Sequence, residues 1–176
     1  RKVYDRHLIE ASRFEVIRIL ALGMTGFDTP STSNTIKEVK TSWNRIVHYA
    51  ETYQEYLPEL QQKNLDVISA SGAHILNVND FDSFDRASFT RECLQPLFKH
   101  FLSIQKQLDI ETYYLTQGAQ KPFNFESEHL FSDDLLHAEY YAQVSTKQLK
   151  NLSALGNHLF HDPILSGNNS RSCASC

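Results

Sequence analysis

The sequence predicts an all-α protein, an antiparallel bundle of about five to six helices with an extended C-terminal tail. Apolar residues recur at alternating steps of three and four over long stretches, which is the spacing of one helix face. The chain has only 6 glycines and 5 prolines in 176 residues, about half the usual share of helix breakers. Alternating apolar and polar runs bounded by turns, which indicate strands, are missing from the sequence.

The first two helices have the clearest limits. The first spans about residues 2–23, and Gly23 and Gly26 end it. The second begins at Thr35, where Thr35 and Glu38 fit a capping box that satisfies the free amides of the first turn. Its apolar stripe consists of Ile36, Val39, Trp43, Ile46, Ala50, Tyr53 and Leu57.

The remaining elements follow less regular patterns. Pro58 is typical of the first turn of a third helix or of a kink. A fourth helix over about 85–108 is interrupted or bent at Pro96. Residues 116–131 have no apolar period, which indicates a long loop. A short helix is predicted over 135–144, and a last helix begins at about Thr146 with Leu149, Leu152, Gly156, Leu159 and Phe160 on one stripe.

Composition limits the class of partner. Seventeen Lys and Arg residues stand against 21 Asp and Glu, a net charge of −4, and there is no basic block, so nucleic acid is not an expected partner. No apolar run reaches the roughly 18 residues of a membrane-spanning helix. The most apolar stretch, from Val16 to Met24, contains Arg18. We therefore expect no transmembrane segment.

Composition also changes towards the C-terminus. The stretch that follows Asp162 is rich in Ser and Asn, lacks a helical stripe and ends in Cys173-Ala174-Ser175-Cys176. We therefore divide the chain into a helical N-terminal domain, residues 1–145, and a second region, residues 146–176.

The Cys-x-x-Cys sequence admits several chemistries. Two intervening residues place two thiols at the spacing of the haem vinyl groups, as in covalent haem attachment. A plain thiol pair or disulfide fits the same spacing. A zinc site would combine Cys173 and Cys176 with His158 and His161, although the gap between the histidines is shorter than usual. Redox catalysis lacks the βαβ surroundings of thioredoxin-like proteins.

The residues before the cysteines carry a resemblance. Residues 155–176 read LGNHLFHDPILSGNNSRSCASC. This segment resembles, without a gap, the start of the first haem domain of bacterial di-haem cytochrome c peroxidases and MauG-like enzymes. Its pattern there is L-G-x-x-L-F-x-D-P-x-L-S, a short polar stretch and S-C-x-x-C-H. The chain departs from the pattern in having no His after Cys176.

The resemblance implies a haem enzyme. Cys173 and Cys176 would hold the first, peroxidatic haem c, and the parent protein would be periplasmic or exported. It would take electrons from a small donor protein, a cytochrome c or cupredoxin, and reduce hydrogen peroxide to water; MauG-like members oxidise a protein instead. The missing His and second haem domain predict that the 176-residue chain is inactive alone, without bound haem, and that no catalytic residue lies within it.

Two alternatives from other classes stay open. The helical bundle could be a binding or interaction module that docks a partner protein. The chain could also be a zinc-stabilised structural domain that uses His158, His161, Cys173 and Cys176. The remaining histidines show no metal-binding spacing, and Cys93 on an apolar stripe is expected to be a buried, inert thiol. We expect surface or core positions for His7, His48, His74, His100, His129 and His137.

Overall fold

The computed structural model describes residues 4–27, 34–112 and 121–175. Within these ranges 66% of the residues are helical. The described residues form no strand; their only extended pairing is an isolated antiparallel bridge between Phe123 and Leu136. The predicted all-α class is therefore confirmed.

The first helical segment ends at Gly23, as predicted from the sequence. Helix α1, Asp5–Arg18, continues into a π-helical turn, Ile19–Gly23. Gly26 follows with φ of 77°, a left-handed conformation that glycine adopts without steric cost. The predicted start at residue 2 lies outside the described residues. None of the helices in the described ranges is both long and apolar enough to cross a membrane.

Helix α2, Thr35–Glu51, begins differently from the prediction. Asn34 is its N-cap residue and makes no side-chain capping hydrogen bond, so the predicted capping box at Thr35 and Glu38 is wrong. Thr35 is instead the first helical residue and is buried, and the Asn34 carbonyl accepts the amide of Glu38 at 3.0 Å. The burial of the predicted stripe is confirmed, but the helix is shorter than predicted. Within α2 the buried residues of the stripe are Ile36, Val39, Trp43, Ile46 and Ala50, whereas Tyr53 and Leu57 are buried after the helix has ended at Glu51.

Pro58 and Pro96 mark two helix boundaries. Pro58 is the N-cap residue of α3, Glu59–Ile75, which confirms a new helix at this point. Further along, α4, Arg86–Phe89, passes through a π-helical turn, Thr90–Leu94, into α5, Gln95–Gln107. The irregular turn lies just before Pro96, because proline has no amide to donate and crowds the preceding turn.

The core of the bundle is aromatic. Trp43 of α2 packs edge-on against Phe89 of α4, with 5.3 Å between ring centroids. Phe84 contacts the same ring at 5.4 Å. Trp43 and Phe89 are at most 1% exposed. These contacts hold α2 against the irregular α4–α5 helix.

Arg13 of α1 fastens the chain after α5 to the bundle. Its guanidinium donates hydrogen bonds to the carbonyl of Phe125 and, at 2.5 Å, to that of Ser127. It also lies 4.1 Å from the ring centroid of Phe98. Residues 121–131 contain neither helix nor strand, as the predicted loop requires, and residues 116–120 of that loop lie outside the described residues.

The chain divides into two compact units. One consists of Arg1–Ala119 with Asn124–Leu135, and the other of Gln120–Phe123 with Leu136–Cys176. The second unit contains α6, Ala138–Ala142, and α7, Thr146–His161. Both helices lie where the sequence predicts them, although α6 is shorter. The functional boundary between residues 145 and 146 stays a prediction.

Candidate functional site

The C-terminal segment begins at a well-defined helix start. Ser145 is the N-cap residue of α7, and its hydroxyl oxygen accepts the amide of Gln148 at 3.4 Å. The side-chain oxygen of Gln148 in turn accepts the Ser145 amide at 3.1 Å. This reciprocal pair is a capping box, which fixes the first residue of the helix.

One face of α7 is apolar and exposed to solvent. The sequence predicts a stripe through Leu152, Leu159 and Phe160, and the helix has the expected amphipathic pattern. The large apolar side chains of this segment are between 38% and 66% exposed. Apolar patches of this kind usually mark a surface on which other protein or a ligand packs. The exposed residues are Leu152, Leu155, Leu159, Phe160, Ile164 and Leu165.

Asp162 turns the chain at the end of α7. Its carboxylate accepts the amide of Ile164 at 2.9 Å and caps the short 3-10 turn Pro163–Leu165. The amide and hydroxyl of Ser166 both donate to the Pro163 carbonyl, at 2.9 and 2.8 Å. The Asp-Pro pair and the following serine therefore build this turn from local hydrogen bonds.

The polar stretch that follows is a second series of side-chain-directed turns. The side-chain oxygen of Asn168 accepts both the amide and the hydroxyl of Ser170, at 3.2 and 2.6 Å. Asn169 takes a left-handed conformation with φ of 53°, which asparagine tolerates better than most residues. The short polar side chains of this stretch thus form the hydrogen bonds that shape its turns.

Cys173 lies in a 3-10 turn, Cys173–Ser175, that the neighbouring serines close. The Ser172 amide donates to the Ser175 hydroxyl, and the Ser175 amide donates to the Ser172 carbonyl, both at 3.0 Å. Cα atoms of this turn come within 8 Å of Cα atoms of α7. Cys173 is an exposed free thiol. Cys176, the second predicted haem-attachment residue, lies outside the described residues.

The two histidines proposed for zinc lie in the last turn of α7. His158 is exposed, and His161 has its Nδ1 atom 2.9 Å from the carbonyl of Asn157 in the same helix. Among the residues that the structure describes, no three His, Cys, Asp or Glu side chains come together as a metal site. The zinc alternative, which also needs Cys176, stays a prediction.

The two described cysteines differ in chemical availability. Cys93 is fully buried in the first unit, and burial, with a smaller contribution from Glu92, raises the pKa of its thiol to about 12. A protonated, inaccessible thiol does not react. Cys173 is exposed on a short turn and is available for covalent attachment.

One cluster in the first unit was not visible in the sequence. Gln61 of α3 and His100 of α5 line the same cleft, although nothing in either helix pattern links them. His100 is 5% exposed, in agreement with the expected surface or core position. Contacts between helices that are distant in sequence cannot be read from the period of either helix.

Comparison with known proteins bears on the C-terminal segment. The family model described as di-haem cytochrome c peroxidase matches residues 150–176. No curated protein matches the chain significantly, and no solved structure does. The matched range begins in α7 and contains the Asp162 turn, the polar stretch and both cysteines of the predicted motif. Residues 150–176 thus match the di-haem cytochrome c peroxidase family, and the resemblance inferred from their sequence is confirmed.

Proposed function

We propose that residues 146–176 begin a c-type haem domain of a peroxidase-family oxidoreductase, with Cys173 and Cys176 as the haem-attachment residues. The observation that carries this proposal is the family match over residues 150–176. The parent protein would be periplasmic or exported. It would reduce hydrogen peroxide with electrons from a cytochrome c or cupredoxin type of donor.

The local structure supports attachment at Cys173. Thioether formation requires a thiol that can reach a haem vinyl group, and Cys173 is exposed on a turn fixed by Ser172 and Ser175. The thiol of Cys93 cannot replace it, because that residue is fully buried among core side chains. The described residues thus supply one accessible attachment point, at the position that the motif requires.

The exposed apolar side chains support the same proposal. A porphyrin is largely apolar and is held in proteins by apolar side chains around its covalent attachment. Leu159 and Phe160 near the end of α7, and Ile164 and Leu165 in the next turn, are all exposed and come shortly before the cysteines in the sequence. They offer apolar surface to a haem domain that includes the residues after Cys176.

The proposed reaction needs a redox cofactor. Hydrogen peroxide takes two electrons and two protons to give two molecules of water, and the donor protein supplies the electrons one at a time. Bound haem supplies the redox-active iron for this reaction. The role of this chain is to hold the haem covalently and to provide one wall of its domain; the residues that move protons are not assigned within it.

Peroxide consumption by the full-length protein tests the proposal. The protein that contains this chain and the residues after Cys176 is produced with c-type haem maturation and mixed with hydrogen peroxide and a reduced cytochrome c. We expect oxidation of two cytochromes for each peroxide consumed. Cys173→Ser, Cys176→Ser and the double variant should each lose this activity.

Cys93→Ala is the matched control, because it removes the buried thiol and leaves the motif intact. It should keep the activity if the variant remains folded by circular dichroism. Equal activity in the double variant and the unchanged protein would contradict the proposal. Zinc bound stoichiometrically and lost in Cys173→Ser would favour the zinc-stabilised alternative.

A further inference from the structure

Both π-helical turns of the described chain border one cleft in the first unit, which we call the π-turn cleft. Leu20 lines it from the turn Ile19–Gly23, and Thr90 lines it from the turn Thr90–Leu94. The cleft has a volume of about 810 Å³, within the range of about 300–1,000 Å³ that is typical of small-molecule sites. π-helical turns are rare and frequently lie at functional sites. The turn Ile19–Gly23 contains no proline that would explain its irregular geometry.

Hydrogen bonds to Met24 join the two sides of the π-turn cleft. Arg86 Nε donates to the Met24 carbonyl at 2.9 Å, and the Thr90 hydroxyl donates to Met24 Sδ at 3.7 Å. All three residues line the cleft. These walls are therefore held in place without a ligand, which lowers the cost of ordering side chains when a ligand binds.

The chain after α5 supplies a further wall, and Gln95 holds it in place. Gln95 Nε2 donates to the carbonyl of Glu128 at 2.6 Å, and Gln95 Oε1 accepts the amide of Leu130 at 2.9 Å. His129 and Phe131, on either side of Leu130, line the cleft together with Gln95. The backbone that carries His129 and Phe131 is thus fixed to α5.

Apolar side chains form much of the lining, and some of them are open to solvent. Leu20, Met24, Ala87 and Phe131 line the cleft. Phe131 is 73% exposed, and Ala87 is also exposed. An apolar group that covers Phe131 would remove apolar surface from water, which is favourable. The cleft therefore suits a ligand with an apolar body.

The charged side chains that line the cleft are positive. Arg86 and Arg91 line it, whereas no Asp or Glu of the described residues does. The hydrogen bonds that Arg86 makes within the described chain go to the backbone carbonyls of Met24, Phe81 and Phe84. Carbonyls satisfy its N–H groups but do not neutralise its charge. Charge complementarity therefore favours an anionic group in the ligand.

Two donors of the cleft can be reached from solvent. Arg91 pairs with Glu92 at 2.8 Å, but the two side chains are 71% and 46% exposed. Exposed ion pairs of this kind are weak, so Arg91 can direct some of its N–H groups to a ligand. His129 is exposed as well, and its ring supplies a further N–H donor.

We propose that the π-turn cleft binds a small amphipathic anion, a carboxylate on an apolar body. The carboxylate hydrogen-bonds to Arg91 and His129, and the body covers Phe131. Arg86 adds positive charge without a direct contact. The site lies entirely in the first unit, so it is independent of the haem proposal, which concerns residues 146–176.

Octanoate and octylammonium test this proposal as matched probes, since they have alkyl chains of similar length and opposite charges. Each is titrated, below its micelle concentration, into the 176-residue protein labelled with ¹³C at the methionine methyl group. Met24 is the only methionine, so a single NMR signal reports on the cleft. Octanoate should shift this signal and bind about tenfold more tightly than octylammonium, as expected for a charge-assisted hydrogen bond.

The overall charge of the chain works against this preference. With a net charge of −4, general electrostatic attraction favours the cation over the anion. A preference for octanoate therefore has to come from the local positive charge of the cleft. Equal or tighter binding of octylammonium, or a Met24 signal that octanoate does not shift, would overturn the proposal.

Variants provide a second readout. Arg91→Gln removes the charge and should bind octanoate about tenfold more weakly. Phe131→Ala removes the apolar contact and should weaken both probes to a similar extent. Arg45→Gln is the matched control, because Arg45 is exposed on α2 and does not line the cleft. Equal octanoate affinity in Arg91→Gln and Arg45→Gln would contradict the assignment. If a variant fails to fold, the comparison of the two probes in the unchanged protein still decides.

Discussion

The indole ring of Trp43 on α2 lies directly against the backbone of Gly72 on α3. A Cβ atom added to Gly72 would stand 2.5 Å from Trp43 Cζ2, and closer still to Nε1 and Cε2. The ring cannot easily retreat, because Trp43 is 1% exposed and packs against Phe89. The approach of α2 to α3 therefore depends on the absence of a side chain at Gly72.

Gly72→Ala should destabilise the protein. The added methyl group forces the indole or the helices to move, and overpacking of this kind costs about 1–3 kcal/mol. Urea unfolding followed by tryptophan fluorescence measures the loss. Gly156→Ala is the matched control, because it also lies in a helix and its added Cβ meets no atom within 4 Å. It should not destabilise the protein, and equal losses in both variants would contradict this view of the core.

Arg13→Met should be more damaging than the replacement of a surface arginine. It leaves the carbonyls of Phe125 and Ser127 without their donor and removes the cation from Phe98. A loss of about 3 kcal/mol in the free energy of unfolding is expected for two unpaired buried carbonyls. Arg45→Met, at an exposed position of α2, should change stability by less than about 0.5 kcal/mol. Similar losses in the two variants would show that the Arg13 hydrogen bonds contribute little.

Most of the fold follows from apolar spacing. The stripe through α2 and the start of α3 after Pro58 lie where the sequence predicts them, because periodicity and proline act locally. The capping box at Thr35 was predicted wrongly, because the helix begins one residue earlier and Asn34, not Thr35, is its N-cap residue. The hydrogen bonds of Arg13 could not be predicted either. Its partners are backbone carbonyls more than 110 positions along the chain. Every residue has a backbone carbonyl, so the sequence does not indicate which of them accepts a hydrogen bond.

The candidate haem-attachment site could be predicted because it is a local sequence motif. Cys173 was found because its spacing to Cys176 and the preceding LFHDP sequence are local features of the chain. The cleft that Gln61 and His100 line was not found, because the two residues belong to different helices. A histidine on an apolar stripe gives the same sequence pattern whether its ring nitrogen has a partner or not.

The stability of the folded protein should decrease as the pH is lowered, because His100 takes up a proton more readily in the unfolded chain. The unfolded chain binds a proton on this residue below about pH 6.5, whereas burial in the folded protein lowers the pKa to about 4. The unfolded state therefore holds more protons in this window, and acid favours unfolding. The expected loss from this residue is about 2 kcal/mol between pH 7.5 and pH 5. Denaturant unfolding at the two pH values measures it.

Variants separate this contribution from those of other groups. His100→Phe should lose about 2 kcal/mol less than the unchanged protein over the same pH interval. His74→Phe removes an exposed histidine and should retain the full pH dependence. If His100→Phe and the unchanged protein lose the same stability, burial does not depress the pKa of His100 as described.

The start of α7 should depend on Ser145. Ser145→Ala removes the acceptor of the Gln148 amide and should cost about 1 kcal/mol of helix stability. Hydrogen exchange at the Gln148 amide should accelerate severalfold. Asn34→Ala is the matched control, because Asn34 caps α2 without a side-chain hydrogen bond. It should leave exchange at the start of α2 nearly unchanged; equal acceleration at both helix starts would contradict the assigned capping box.

The most direct test of the central claim is the mass of the peptide that contains Cys173 and Cys176. The full-length protein, matured with the c-type haem machinery, is digested under denaturing conditions and analysed by mass spectrometry. We expect this peptide to carry one covalently bound haem in the unchanged protein and in Cys93→Ala, and to lack it in the double variant Cys173→Ser,Cys176→Ser. A peptide without haem, after a control cytochrome c has matured successfully, would show that Cys173 and Cys176 do not attach haem.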